Sequence, residues 1–293
     1  MRIAIIGLGE LGRCFAAPLH AAGFEVSVCE VRPAAAAEEL AASIGAPIHP
    51  GPGAWLADAQ WVLSCVTGTT ALPVLEAVLP HLANGASVAD FTTASPAVKR
   101  EAAARAAAAG IRYVDTAVMG AISLNLVRTP LLVSGEGAGD FKAFMEQAGG
   151  RVQVIEGAKA GDAISLKILR SIFTKGMEAL CVELLMSAEK QGVRSELYAQ
   201  LADIDQTPLR SFMDMLVRTH VVHARRRAHE VRDAQGELTA QGLSSVVLPG
   251  VEQRFVATAS ALEHTPLPCD DPSVEQALDW LLTTATATAT AGS

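Results

Sequence analysis

Three glycines in the pattern Gly7-x-Gly9-x-x-Gly12 follow directly on an apolar, β-branched run, Arg2–Ile6, and open a stretch with helical patterning. That context narrows the possible folds sharply, because a tight turn from a buried strand into a helix begins a βαβ unit. Gly7 permits the turn, Gly9 lets a pyrophosphate come against the backbone, and Gly12 lets helix and strand pack closely. The helix N-terminus then offers unpaired N–H donors to phosphate. Glu30 lies 18 residues beyond Gly12, at the end of a second apolar run, Glu25–Cys29. A carboxylate there accepts hydrogen bonds from ribose hydroxyls and repels a 2′-phosphate. The pattern points to NAD as cofactor. Arg32, two residues on, suits a 2′-phosphate and keeps NADP open. The competing readings are an ordinary tight turn in an α/β protein and an FAD site.

Short apolar runs continue through the first half at Trp61–Val66, Ser87–Phe91, Tyr113–Val118, Leu131–Ser134 and Val152–Ile155, with helix-like stretches or Gly and Asp punctuation between them. Such alternation predicts a doubly wound, mostly parallel sheet. After Gly157 the character changes, and Asp162–Gln191 reads as one long helix. Leu166, Leu169, Ile172, Met177, Leu180, Val182 and Leu185 cover much of its circumference, so it is expected to be buried or shared between subunits. The remainder, to about Trp280, is helical in pattern, with breaks expected at Pro208, Gly236, Gly242, Pro249 and Pro266. The last residues, TTATATATAGS, are low in complexity and are expected to fray. The predicted organisation is an α/β Rossmann domain over 1–158 that binds NAD(P), an all-α substrate and dimerisation domain over 159–283 joined by the long helix, and a flexible tail over 284–293.

Aromatics make up only 4% of a chain that is 50% hydrophobic, so the core must be built from Ala, Val, Leu and Ile. A net charge of -8 and a pI near 5.4 argue against nucleic-acid binding, which needs a concentrated basic surface. Five scattered cysteines without a CxxC pair suggest neither a disulfide framework nor a zinc site, and fit a reducing cytoplasm. The opening MRIAIIGLGELGR superficially has the charge and apolarity of a signal peptide, but glycines and Glu10 interrupt it. No uncharged apolar run is long enough to span a membrane, so a soluble protein is expected.

The segments IIGLGELG and GFEVSVCEVRP together resemble the β-hydroxyacid dehydrogenase family, which includes 3-hydroxyisobutyrate dehydrogenase, tartronate semialdehyde reductase and short relatives of 6-phosphogluconate dehydrogenase. The resemblance spans most of the chain. It implies cofactor contacts from the glycine loop, including Glu10 and Leu11, and from LSCVTG, where Cys65, Val66 and Thr67 line the adenosine side and nicotinamide ribose. ADFTTASP is similar to the family's D-x-S-T-x-x-P element and implies that Thr92 and Thr93 approach the nicotinamide. By residue type alone, Thr92 is equally suited to capping the next helix. VDTAVMGA occupies the place of the D-A-P-V-S-G-G substrate loop, with Met119 where a serine is usual, leaving Gly120 and backbone amides to meet the substrate. GAKAGDAISLKILRSIFTKGMEALCVELL is similar to the G-x-x-x-K-x-x-x-N helix: Lys167 stands at the catalytic lysine, Ala163 replaces the glycine and Ser171 the asparagine. SIFTKGMEAL with HARRRAHE is similar to a bacterial subgroup carrying a phosphogluconate dehydrogenase-like C-terminal domain.

The implied activity is hydride transfer between nicotinamide and the alcohol or carbonyl carbon of a small anionic hydroxy acid. Such chemistry needs one acid–base group. Lys167 can fill that role if its pKa falls from the ordinary value of about 10.4, and Ser171 can orient the hydroxyl. At about 100° per residue, Lys167, Ser171, Thr174 and Glu178 share one stripe of the helix. His220, His223 and His229 with Arg225, Arg226 and Arg227 form a concentrated basic cluster. It reads either as a solvated helix face or as a set from which His223 or Arg226 binds the substrate's anionic group. No metal is expected. Two alternatives remain: an imine reductase on the same scaffold, and a non-catalytic dinucleotide-binding regulator. A homodimer through the C-terminal helices is expected from the long apolar helix and from the resemblance.

Overall fold

A computed structural model of the chain describes residues 1–291, with side chains through residue 285. It contains eight strands: β1 (Arg2–Ile6), β2 (Glu25–Cys29), β3 (Ile48–His49), β4 (Trp61–Ser64), β5 (Ser87–Asp90), β6 (Arg112–Val118), β7 (Pro130–Gly135) and β8 (Arg151–Val154). They form one sheet in the order β3-β2-β1-β4-β5-β6-β7-β8. All neighbours are parallel except β6 and β7. Strands buried on both faces read as continuous apolar runs, and β1 is one: Ile3 and Ile5 enter the core on one face, Ala4 and Ile6 the core on the other. Trp61 and Leu63 of β4 divide from Val62 in the same way.

Helices cover the sheet: α1 (Glu10–Ala21), α2 (Ala35–Ser43), α3 (Ala71–Val78), α4 (Pro96–Ala108), the single turn α5 (Ile122–Asn125) and α6 (Ala138–Gln147). The chain order reverses between β1 and β4, and ligands of open α/β sheets bind beyond the carboxyl ends of the strands at that switch. The Rossmann architecture expected from the sequence is present. The short edge strand β3 was not legible, because two residues carry no periodicity.

The helix predicted over Asp162–Gln191 is α7, with those bounds. It is followed by α8 (Arg194–Gln200), α9 (Ala202–Gln206), α10 (Leu209–Ala240), α11 (Leu248–His264) and α12 (Val274–Ala291). Gly236 does not break α10, since one glycine costs about 1 kcal/mol in a helix interior and α10 packs along α11. Pro249 sits in the first turn of α11, where its missing N–H costs nothing. The tail expected over 284–293 falls partly on α12, and residues 292–293 lie outside the described residues.

Two compact units result, Met1–Ile172 and Phe173–Ser293, whereas the sequence placed the division at 158/159. In the second unit Val221, Ala277 and Trp280 form a small core. Glu183 caps the start of α11 by accepting the Val246 and Val247 N–H groups at 2.7 and 3.0 Å.

Candidate active site

The three glycines have different reasons to be glycine. Gly7 has φ +94°, and a Cβ there would lie 2.9 Å from the Cys65 carbonyl oxygen; at Gly12 it would lie 1.9 Å from the Gly7 oxygen. The turn itself demands both. Gly9 has φ −62° and ψ −166°, open to any residue, and its Cβ would meet no protein atom within 4 Å. The empty fold therefore does not require glycine at this position, whereas a ligand lying against the backbone does. Helix α1 begins here without a side-chain cap, so its first N–H groups face the same opening. This cradle fits a dinucleotide pyrophosphate.

Glu30, at the end of β2, accepts the Leu8 N–H at 2.9 Å and the Arg32 N–H at 3.2 Å. Arg13 donates to the Leu8 carbonyl at 3.0 Å. The glycine loop is thus held from both sides, a bracing role for Glu30 that spacing alone could not reveal. Glu10 and Arg32 are exposed, and Leu11 is half-buried against the core.

The loops after β1, β4 and β5 touch in turn. Val66 Cγ1 would lie 3.2 Å from a Cβ on Gly7, and Thr93 Oγ1 3.3 Å from one on Gly68. Thr67 shares its hydroxyl with Thr69 and Thr70 at 3.2 and 3.1 Å. Gly7, Val66, Thr67 and Thr93 consequently line one edge of the sheet. Thr92 is buried; its N–H donates to Asp90 Oδ1 at 2.8 Å and its hydroxyl accepts the Ala94 N–H at 3.3 Å. Thr92 does not cap α4. Ser95 does, accepting the Val98 N–H at 3.3 Å.

Beneath that edge lies a charged network absent from the sequence expectations. Asp90 and Asp115 are in register on β5 and β6, and both are buried. Lys99 reaches down from α4 with no exposed surface, donating to the Asp90 carbonyl at 2.7 Å and lying 3.2 Å from Asp90 Oδ2 and 3.3 Å from Asp115 Oδ1. Tyr113 donates its hydroxyl to Asp90 Oδ2. Burial, then the Asp90 charge, drives the Tyr113 phenol well above its ordinary range. Asp115 Oδ2 accepts the Gly161 and Ile164 N–H groups, both at 3.0 Å, and Ser134 accepts that of Ala163 at 3.1 Å. The first turn of α7 is therefore capped by strand side chains, which satisfies donors that would otherwise be orphaned.

Lys167 lies three residues beyond Ile164 and is half-buried. Burial lowers its pKa, the charge of Lys99 lowers it further, and Asp115 partly opposes both. Arg170 donates to the Met119 carbonyl at 3.4 Å, bringing α7 to the end of β6. Met119 is half-buried and Gly120 exposed beside it. Ser171 and Thr174 are exposed on α7.

The basic cluster lies on α10 in the second unit. Arg226 pairs with Glu230, and Arg225 with Glu263 at 2.7 Å, both on exposed surface. His223 is exposed. His220 instead faces α11, hydrogen-bonding Thr258 at 2.8 Å and packing on Phe255. The six residues thus occupy several faces of the helix.

The profile of the NAD binding domain of 6-phosphogluconate dehydrogenase matches residues 2–155, more than half of the chain. The chain belongs to this family. Its nucleotide cofactor is NAD(P), held by the N-terminal domain. Residues 188–258 match a domain of unknown function (DUF1932). An uncharacterized 28.5 kDa protein from Methanothermus fervidus is 27% identical over 259 residues, covering 87% of this chain and 98% of that one. Among solved structures, the conserved protein MTH1747, of unknown function and described as structurally similar to 3-hydroxyacid dehydrogenases, is 25% identical with a TM-score of 0.62, covering 89% of this chain and 97% of its own. An imine reductase from Bacillus cereus reaches a TM-score of 0.75 at 16% identity, covering 95% and 98%. At that identity the likeness is one of fold. Family and fold are those of NAD(P)-dependent oxidoreductases that act on small molecules.

Proposed function

We propose that the chain is an NAD(P)-dependent dehydrogenase or reductase acting on the CH–OH or carbonyl carbon of a small anionic hydroxy acid, with Lys167 as general acid and base. The observation that carries this reading is the setting of Lys167: half-buried, beside a fixed positive charge, with a pKa below that of an ordinary lysine. A lysine so placed reaches its neutral form closer to neutral pH.

Bound NAD(P) supplies the hydride acceptor in oxidation and the donor in reduction. Neutral Lys167 takes the hydroxyl proton as the alcohol is oxidised, and protonated Lys167 returns it in the reverse direction. Ser171, one turn on, orients the hydroxyl. Val66, Thr67 and Thr93 hold the nicotinamide side of the cofactor, and Gly9, Glu10, Leu11 and Gly12 its phosphates. Gly120 offers its backbone N–H to the substrate's anionic group, the Met119 N–H being taken by the Pro130 carbonyl at 2.8 Å, and Thr174, His223 and Arg226 are further candidates for binding that group. Glu30 favours NAD over NADP at the ribose. Replacing Arg226 then raises the substrate KM far more than the cofactor KM; equal effects on both count against its role.

The same scaffold supports a second reading, an imine reductase, favoured by structural neighbours with that activity. A regulator that binds the dinucleotide without turnover is the third. Fluorescence of NADH and NADPH read against hydroxy acids, including sulfonates and phosphonates, and against cyclic imines separates the three. Turnover of a hydroxy acid supports the proposal, turnover confined to imines replaces it, and cofactor binding without any turnover leaves the regulator.

We further propose a cytoplasmic homodimer. Along α7, Leu166, Leu169, Ile172, Met177, Val182 and Met186 are exposed, distributed around the helix over about 30 Å at 1.5 Å per residue. So much exposed apolar surface on one helix marks an interaction site, and a two-fold interface with a second copy of this chain, the commonest assembly, would cover it. A stable monomer in sedimentation equilibrium would contradict the assembly. Among the described residues no helix is long and apolar enough to cross a membrane.

A further inference from the structure

Lys99 is costly where it lies. An ammonium group without solvent contact is tolerated only when paired and hydrogen-bonded, and an apolar side chain would serve a merely packed helix as well. Its partners show what it accomplishes. The Asp90 carbonyl and carboxylate begin the loop that carries Thr92 and Thr93, and Asp115 holds the Gly161 and Ile164 amides that start α7. Two carboxylates in register on adjacent parallel strands repel each other, and Lys99 stands within 3.3 Å of both. Asp115 Oδ1 makes no hydrogen bond of good geometry, so the ammonium 3.3 Å away is what answers its charge.

We infer that the buried Lys99–Asp115 pair, anchored on Asp90, is a positioning device that ties the loop after β5 to the first turn of α7, just ahead of Lys167, and sets the field in which Lys167 exchanges its proton. Both side chains are buried and act through Lys167 rather than on substrate or cofactor. The inference rests on Lys167 as the proton carrier. The charged groups that act on Lys167 are Lys99 from α4 and Asp115 from β6. Asp90 and Tyr113 lie behind them on β5 and β6. Arg100 packs at Gly161, Asp162 bonds the Lys159 N–H at 2.9 Å, and Arg170 is engaged with Met119.

The opposing signs of the two charges make the device testable without any substrate. In the full-length protein, competitive acetylation with acetic anhydride, read by mass spectrometry of the Lys167 peptide across pH, reports the midpoint at which Lys167 loses its proton. In Lys99→Gln the repelling charge is gone, and the midpoint rises by about one pH unit, the scale of a neighbouring charge. In Asp115→Asn the carboxamide oxygen still accepts the α7 amides while the attracting charge is gone, and the midpoint falls. Lys99→Arg retains the charge and restores the parent value. A role limited to stability predicts lower resistance to urea with the midpoint unmoved, and that result overturns the inference. Should Lys99→Gln fail to fold, Asp115→Asn decides alone: a fall supports the device and no change removes it. The pH profile of turnover must then follow the acetylation midpoint, with the limb for alcohol oxidation displaced to higher pH in Lys99→Gln. Opposite movements of the midpoint, combined with full turnover in Lys167→Ala, would keep the device and discard the proposed reaction.

Discussion

Alanine at position 9 separates what the fold needs from what the cofactor needs. The native backbone of Gly9, at φ −62° and ψ −166°, suits alanine, and the added methyl meets no protein atom within 4 Å. Alanine at a helix N-cap costs about 1 kcal/mol relative to better caps. The loss of unfolded-state freedom on replacing glycine returns about 0.4–1 kcal/mol, so Gly9→Ala should unfold in urea within about 0.5 kcal/mol of the parent. Binding should behave differently, because the methyl projects into the opening before α1 and holds the pyrophosphate off the helix amides. Hydrogen bonds to a charged group contribute about 1.5–3 kcal/mol each. Losing even two of the weaker ones costs about 3 kcal/mol, roughly a hundredfold in Kd. Gly12→Ala is the control of opposite sign: its Cβ would stand 1.9 Å from the Gly7 oxygen, so the turn must open at a cost of about 3 kcal/mol in stability. Urea unfolding and fluorescence titration with NADH and NADPH measure both quantities. Cofactor binding within about threefold of the parent in Gly9→Ala, or destabilisation by Gly9→Ala equal to that by Gly12→Ala, would show that position 9 serves the fold and not the cofactor.

Other expectations follow from the same structure. Lys167→Ala should leave the cofactor Kd unchanged and lower turnover by several orders of magnitude, and near-normal turnover removes the lysine from the reaction. Tyr113→Phe deletes a buried donor to the Asp90 carboxylate and should cost about 1.5–3 kcal/mol; an unchanged urea midpoint would show that bond to be idle. His220 has its pKa lowered to about 4 by burial and by the Arg254 and Arg227 charges. Its folded value lies below its unfolded one, so the unfolded chain binds the extra proton between them, and stability is full above about pH 6.5 and falls toward pH 4. The loss is at most about 3 kcal/mol, and His220→Gln should flatten that part of a stability-against-pH curve.

The Rossmann half was legible because its signals are local. The β1 run, the glycine spacing and the acid after β2 each fall within about thirty residues, and burial on both faces makes the parallel strands read as unbroken apolar runs. The two-residue strand β3 and the continuous α10 were not legible: one is too short to show a period, and in the other a glycine's intrinsic cost is outweighed by packing. Lys99 was overlooked because it stands in a run of Lys, Arg and Glu that reads as a solvated face. Two signals could have exposed it: its spacing with Ala102 and Ala106 on the buried side of α4, and an aspartate directly after an apolar pair in each of two strands.

Residue order alone determined the tight turn between β1 and α1, because glycine's freedom and the unpaired amides of a helix start are properties of a few consecutive residues. It also determined the extent of α7, which the structure reproduces from Asp162 to Gln191. Only the tertiary structure decided where that helix begins relative to the sheet and which charges surround Lys167. Those depend on Asp90, Lys99, Asp115 and Ser134 meeting across three strands and one helix, and the electrostatics of a buried group are set by neighbours in space rather than neighbours in chain.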